Sequence, residues 1–173
     1  LIAASRHPVA LVSTWASNEE LAAFHAALGH RIDCYVKTDW LPLPGEPIED
    51  DILIRRDKNP NRAAAEALYP PLPPDGGAAL GASDLVIVWG EGCDFALLPA
   101  AAKVIQLDSW CESQHGAAEV FLPVSVQTER SGHYTNFAGV VSRFETCFAK
   151  PAGVGDAQEV FAALAVGSSV SAS

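Results

Sequence analysis

Four short polar stretches carry most of the chemistry this sequence offers. They are Ala16-Ser17-Asn18, Asp57-Lys58-Asn59-Pro60-Asn61, Gly90-Glu91-Gly92-Cys93-Asp94 and Asp108-Ser109-Trp110-Cys111-Glu112, and each follows an apolar run. Gly90 and Gly92 let backbone approach a phosphate closely, and Asp108 or Glu112 can accept from a ribose hydroxyl or a guanine edge. Their joint chemistry would be nucleotide binding. The alternatives are a plain tight turn at the glycines and loop capping or solvation at the two acids. No G-x-G-x-x-G follows the first apolar run and no G-x-x-x-x-G-K-[ST] occurs, so neither a self-contained dinucleotide site nor a P-loop is expected.

Catalytic patterns are sparse. The five histidines stand at positions 7, 25, 30, 115 and 133, with no H-E-x-x-H and no G-x-S-x-G elbow in the chain. His25 falls within a helical pattern and His30 just beyond its end, where an imidazolium complements the dipole. His115 near Glu112 and His133 near Glu129 offer an acid–base pairing, against which stand solvated or capping roles. Cys34, Cys93, Cys111 and Cys147 form no C-x-x-C pair, so a zinc or iron–sulfur cage is not expected. Cys93 and Cys111 could meet on neighbouring loops as a redox pair. Four reduced, mostly buried thiols are the expectation.

These loops need elements to hold them. Val9–Trp15, Ile32–Val36, Asp51–Arg55, Asp84–Trp89, Lys103–Leu107 and Glu119–Val124 read as strands. Leu85-Val86-Ile87-Val88-Trp89 is continuously apolar, the pattern of a strand covered on both faces of a parallel sheet. Ser17-Asn18-Glu19-Glu20 is a capping box, opening a helix with Leu21, Phe24 and Leu28 on one face and its stop at Gly29. Asn59-Pro60 caps a second helix over Asn61–Leu68, a third begins near Phe95, and Asp156-Ala157-Gln158-Glu159 opens a last one with Val160, Phe161 and Leu164 inward. Trp40–Pro47 and Pro70–Gly77 are proline-rich and read as surface connections, either plain stiff loops or docking points for a neighbour. The alternation predicts an α/β fold, an open and mainly parallel sheet flanked by helices in a Rossmann-like arrangement.

Composition sets the outer bounds. The chain has 173 residues, 49% hydrophobic and 18% charged, enough for one ordinary core. A formal charge of −10 repels phosphate backbones and anionic lipid, so nucleic acid is not an expected partner. No apolar stretch reaches the ~20 residues of a membrane span, and no export signal opens the chain. Met is absent throughout, which reads as a processed product or an excised piece.

From Asp84 onward the residues resemble a known family. Asp84-Leu-Val-Ile-Val-Trp-Gly90-Glu91, Val104-Ile-Gln-Leu-Asp108, Ala118-Glu119-Val-Phe-Leu-Pro123 and Glu129-Arg-Ser-Gly132-His-Tyr-Thr-Asn136-Phe-Ala-Gly139 are similar to runs of the molybdopterin oxidoreductase superfamily. Asn18-Glu19-Glu20 looks like its helix start, and Asp57-Lys58-Asn59-Pro60-Asn61 resembles the large iron–sulfur subunit (G) of the respiratory NADH dehydrogenase, complex I. The resemblance implies a domain over residues 1–150, then a C-terminal helix and Ser-rich tail over 151–173, from the C-terminal part of such a subunit. It implies a structural and assembly role in an NADH:quinone oxidoreductase, with other subunits as partners and a cytoplasmic, membrane-peripheral location. Iron–sulfur clusters would belong to N-terminal regions and none to this piece. The alternative it implies is a domain binding molybdopterin guanine dinucleotide in a molybdenum or tungsten enzyme such as a formate dehydrogenase. Gly90, Glu91, Asp108 and Glu112 would then hold the nucleotide. His133 replaces the family's Thr, and Ala138-Gly139-Val140 its Glu-Gly-Arg. Losing that basic side chain removes a charge-assisted contact of roughly 1.5–3 kcal/mol.

Overall fold

The computed structural model describes residues 1–37, 49–50, 52, 57–73, 76–90, 92–111 and 118–169. Strands β1 (Pro8–Val12), β2 (Asp33–Val36), β3 (Leu85–Trp89), β4 (Lys103–Asp108) and β5 (Val120–Pro123) form one parallel sheet in the order β2-β1-β3-β4-β5. This is an α/β open-sheet fold. The sequence implies it because parallel neighbours require crossovers, and the helical patterns between the apolar runs supply them. The chain first adds β2 on one side of β1, then crosses to add β3 on the other. The loops leaving β1 and β3 therefore part in opposite directions and open a crevice at their carboxyl ends.

All five residues of Leu85–Trp89 are buried, as continuous apolarity requires of a central strand. Alternate residues feed two cores. Ala10, Val12, Ile87, Trp89, Ile105 and Leu107 face helices α1 (Asn18–Phe24), α2 (Arg62–Leu68) and α4 (Ala157–Ser169). Val9, Leu11, Val86, Val88 and Val104 face Leu72 and, from the short helix α3 (Gly77–Gly81), Leu80. Aromatic rings lock the first core: Phe161 of α4 meets Trp89 at 4.7 Å and Phe24 at 5.1 Å, both edge-on. The C-terminal helix thus completes the sheet's own core.

Several expectations change. The first strand ends at Val12 and residues 13–15 turn into the rim loop. The first helix keeps its capping box and reaches Gly29, but through a π-helical turn over His25–Gly29. The helix near Phe95 is a single 3-10 turn, Phe95–Leu97, which Asp94 caps through the Ala96 amide and Pro99 follows. Asn61, and not Asn59, occupies the cap of α2. Pro70–Leu72 runs beside the end of β2, with Val36 N–H donating to Pro70 and Leu72 N–H to Val36, and Leu72 is buried. The loop-rich stretch after β5 contains an antiparallel hairpin, β6 (Gly132–Thr135) with β7 (Val141–Phe144). The expected strand Asp51–Arg55 and the Trp40–Pro47 segment lie outside the described residues, apart from Ile52, which is exposed. Among the described residues no helix is long and apolar enough to cross a membrane.

Candidate functional site

Three of the four polar stretches meet at the carboxyl rim. Ser13 and Trp15 after β1, Gly90 after β3, and Asp108 and Ser109 at the end of β4 line a cleft of about 260 Å³, closed by Ser125, Gln127 and Arg130. The stretch over 57–61 sits beside it. Thr14 Oγ1 donates to Asn59 Oδ1 at 2.6 Å, and the Asn61 amide donates to the Thr14 carbonyl at 3.0 Å.

Gly90 has φ +77°, and a Cβ there would lie 2.7 Å from Ser13 Oγ, so the turn needs glycine on both counts. Its carbonyl accepts from Lys37 Nζ at 2.6 Å. Lys37 is a buried side chain that the sequence reading passed over; the legible signal was a lone cation directly after the apolar run Ile32–Val36. Asp108 is 1% exposed and its carboxylate is engaged within its own loop. Gln106 Nε2 donates to it at 2.9 Å, the Ser109 amide at 2.7 Å and the Trp110 amide at 3.4 Å. Gln106 Oε1 is buried without a hydrogen-bond partner.

Glu20 and Arg130 form the rim's second feature. Glu20 is 3% exposed, and its Oε2 accepts from the Ser17 amide at 2.8 Å while Arg130 Nε lies 3.2 Å away. Burial pushes the Glu20 carboxyl up, against the pull of the Arg130 guanidinium and the Ser17 hydrogen bonds. Arg130 also donates to the Ser125 and Trp15 carbonyls, stapling the loops that leave β5 and β1. Arg130 therefore works as a clamp between these loops.

Asn61 is the third, and it is fully buried. Its Nδ2 donates to the Ala16 carbonyl at 2.7 Å and to Asn18 Oδ1 at 3.0 Å, and its Oδ1 accepts the Thr135 amide at 2.6 Å. The hairpin is thereby tied to the starts of α1 and α2. Gly132 is seated so closely that a Cβ would lie 2.8 Å from Ser17 Cβ.

His133 pairs with Glu19 and not Glu129: its Nδ1 is 2.5 Å from Glu19 Oε1 and its amide donates to Oε2 at 3.0 Å. Partial burial works against ionising Glu19, but the His133 hydrogen bonds outweigh it and hold the carboxyl below the usual range. Glu129 instead accepts the Val126 amide. His25 Nδ1 meets the Tyr69 hydroxyl at 2.9 Å, and His30 lies against the His25 carbonyl. All four cysteines are free thiols; Cys111 and Cys147 are exposed, so the expectation of mostly buried thiols is corrected. Burial pushes the Cys34 thiol up to about 12 and the Cys93 thiol up to about 11, which keeps both unreactive. Glu91, Glu112 and His115 lie outside the described residues.

Gly90 and Asp108 do not fit a guanine nucleotide as arranged. Ser13 and Lys37 occupy the space over Gly90, and the Asp108 carboxylate is taken up by its own loop. The cleft, at about 260 Å³, also falls below the roughly 300–1,000 Å³ typical of small-ligand pockets. Among the described residues no group of three His, Cys, Asp or Glu is placed to hold a metal ion. No protein-family model matches the chain, and no curated protein matches it.

Proposed function

We propose that this chain is a structural and assembly module of an NADH:quinone oxidoreductase of the complex I type, part of its large iron–sulfur subunit. On this reading it is built on a molybdopterin-oxidoreductase-like domain whose nucleotide rim has become scaffold. Its partners are other subunits of the electron-transfer complex, and it works as a peripheral part on the cytoplasmic side. The observation that carries the reading is the state of Asp108. A carboxylate kept for a ribose or base must point its lone pairs outward, and this one spends them on Gln106, Ser109 and Trp110 beneath the surface. The Arg130 staple supports the same reading, since it ties the rim loops to each other.

Isothermal titration of the chain with GDP and with a soluble pterin tests it. No heat is expected. Micromolar binding would instead favour the cofactor-binding domain of a molybdenum or tungsten oxidoreductase, and stoichiometric molybdenum or tungsten in the full-length parent would make that case.

A further inference from the structure

The hairpin β6–β7 treats its two edges differently. On β6 the His133 and Thr135 amides point away from β7 and are met by side chains, Glu19 Oε2 at 3.0 Å and Asn61 Oδ1 at 2.6 Å. Backbone groups alternate in direction along an antiparallel pair, so Gly132 and Tyr134 are the residues bonded to Phe144 and Ser142. The same phase holds at both ends, where the Asn136 amide donates to the Val140 carbonyl and the Thr146 amide to Ser131 Oγ, each at 3.0 Å. Val141, Arg143 and Glu145 therefore turn their N–H and C=O groups outward. Among the described residues no acceptor meets any of these three amides, and the Glu145 carbonyl has only the Cys147 thiol, 3.7 Å away. The edge is open to solvent: Val141 is 57% exposed, and the Arg143 and Glu145 side chains 66% and 63%. Such an edge is a template for another strand.

The residues along this edge are complementary to themselves. Ser142-Arg143-Phe144-Glu145-Thr146 reads alike by residue class in both directions from Phe144, except that the charge changes sign. We infer that β7 pairs with β7 of a second copy of this chain, antiparallel about a two-fold axis at Phe144, joining two hairpins into one four-stranded sheet. That register sets Arg143 of each copy opposite Glu145 of the other, Ser142 opposite Thr146, and the two Phe144 side chains next to each other. Val140 and Phe148, both exposed, flank the ladder at each end, where the Cys147 and Phe148 amides turn inward to the Thr128 carbonyl. Charge selects among the registers. An axis at Arg143 would place the two guanidinium groups opposite each other, and an axis at Ser142 would leave Glu145 without a facing cation. The pairing goes beyond the assembly reading above, since neither Gly90 nor Asp108 takes part in it.

Sedimentation velocity and amide spectra of the 173-residue chain, from about 20 µM to about 1 mM, test it. A ladder this short buries less than the roughly 800 Å² per partner of a standard interface, so a dissociation constant of about 0.1–1 mM is expected. The Arg143 and Glu145 amides should shift with concentration and gain protection from hydrogen exchange. Arg143→Glu sets like charges opposite each other twice, and so does Glu145→Arg; each variant alone should dimerise about tenfold more weakly. An equimolar mixture of the two variants should associate again, because every glutamate of one then faces an arginine of the other. Both positions are exposed, so the fold is unaffected by either change. A parent chain that stays monomeric at about 1 mM, a dimer indifferent to both variants, or a mixture that fails to associate would overturn the inference. GDP binding would sink the assembly reading and leave this pairing standing, whereas a monomeric chain sinks the pairing alone.

Discussion

Arg130→Met removes the guanidinium while keeping an unbranched apolar stem, and it leaves Glu20 buried without a cation. The two side chains are 11% and 3% exposed in their ion pair, so solvent screens the loss poorly. Breaking a buried pair from one side costs about 3–5 kcal/mol, because the remaining charge is uncompensated. At about 2–4 °C per kcal/mol for a chain of this size, the melting temperature should fall by roughly 10 °C. The loss should also depend on pH. Burial already raises the Glu20 carboxyl above its unfolded value, and removing Arg130 raises it further. A carboxyl raised in the folded state favours folding when protonated, so the variant should be least impaired in acid. It should lose stability as pH rises from the ordinary carboxylate range through the folded value. Glu20→Gln in the Arg130→Met background should recover most of the loss at neutral pH, since glutamine can still complete the capping box with Ser17. Urea unfolding followed by tryptophan fluorescence at pH 5 and pH 8 measures all three terms. A deficit below about 1 kcal/mol, equal at both pH values and untouched by Glu20→Gln, would show that the pair is a surface contact and not a clamp.

Phe161→Ala should cost about 3–5 kcal/mol by opening a cavity between Phe24 and Trp89, with loss of the near-ultraviolet signal of Trp89 as the readout. Asn61→Ala strands the Thr135 amide and the Ala16 carbonyl at about 1–3 kcal/mol each, and hydrogen exchange at Thr135 should rise well before global unfolding. Asp84, at the mouth of β3, accepts from the Arg6 and His7 amides and the Ser5 hydroxyl, which hold its carboxyl well below the usual range. Its contribution is present above the ordinary carboxylate value and is lost as pH falls below it. Asp84→Asn should therefore flatten the acid limb of an unfolding profile and leave its neutral limb parallel to that of the parent.

The layers of the fold were legible because local signals agreed with the final packing. Leu85–Trp89 is apolar without interruption, and only a strand covered on both sides can hide all five residues. Ser17 and Glu20 announced a helix start because a capping box is closed by residues three positions apart. The β6–β7 hairpin was not legible. Gly132–Thr135 and Val141–Phe144 are short, half exposed and mixed in polarity, and their seat depends on Asn61 and Gly132 meeting α1. The helix near Phe95 failed because three residues before Leu98-Pro99 leave no room beyond one tight turn.

For the rim, local sequence determined which residue types lie at the carboxyl ends of the strands, since strand ends and turn residues are set by nearby chain chemistry. It could not say whether those residues face outward or satisfy one another. Gln106 and Asp108 bond because residues two apart on β4 share a face, whereas Arg130 reaches Glu20 and Asn61 reaches Thr135 across long stretches of chain. Such pairings follow from the order of strands in the sheet and the stapling of its loops, and no periodicity of neighbouring residues encodes either. The amino-acid order thus settled that this chain builds a layered sheet with a polar rim and an excess of negative charge. Tertiary structure alone decided that the rim binds itself together, with Asp108 held by its own loop and Glu20 by Arg130.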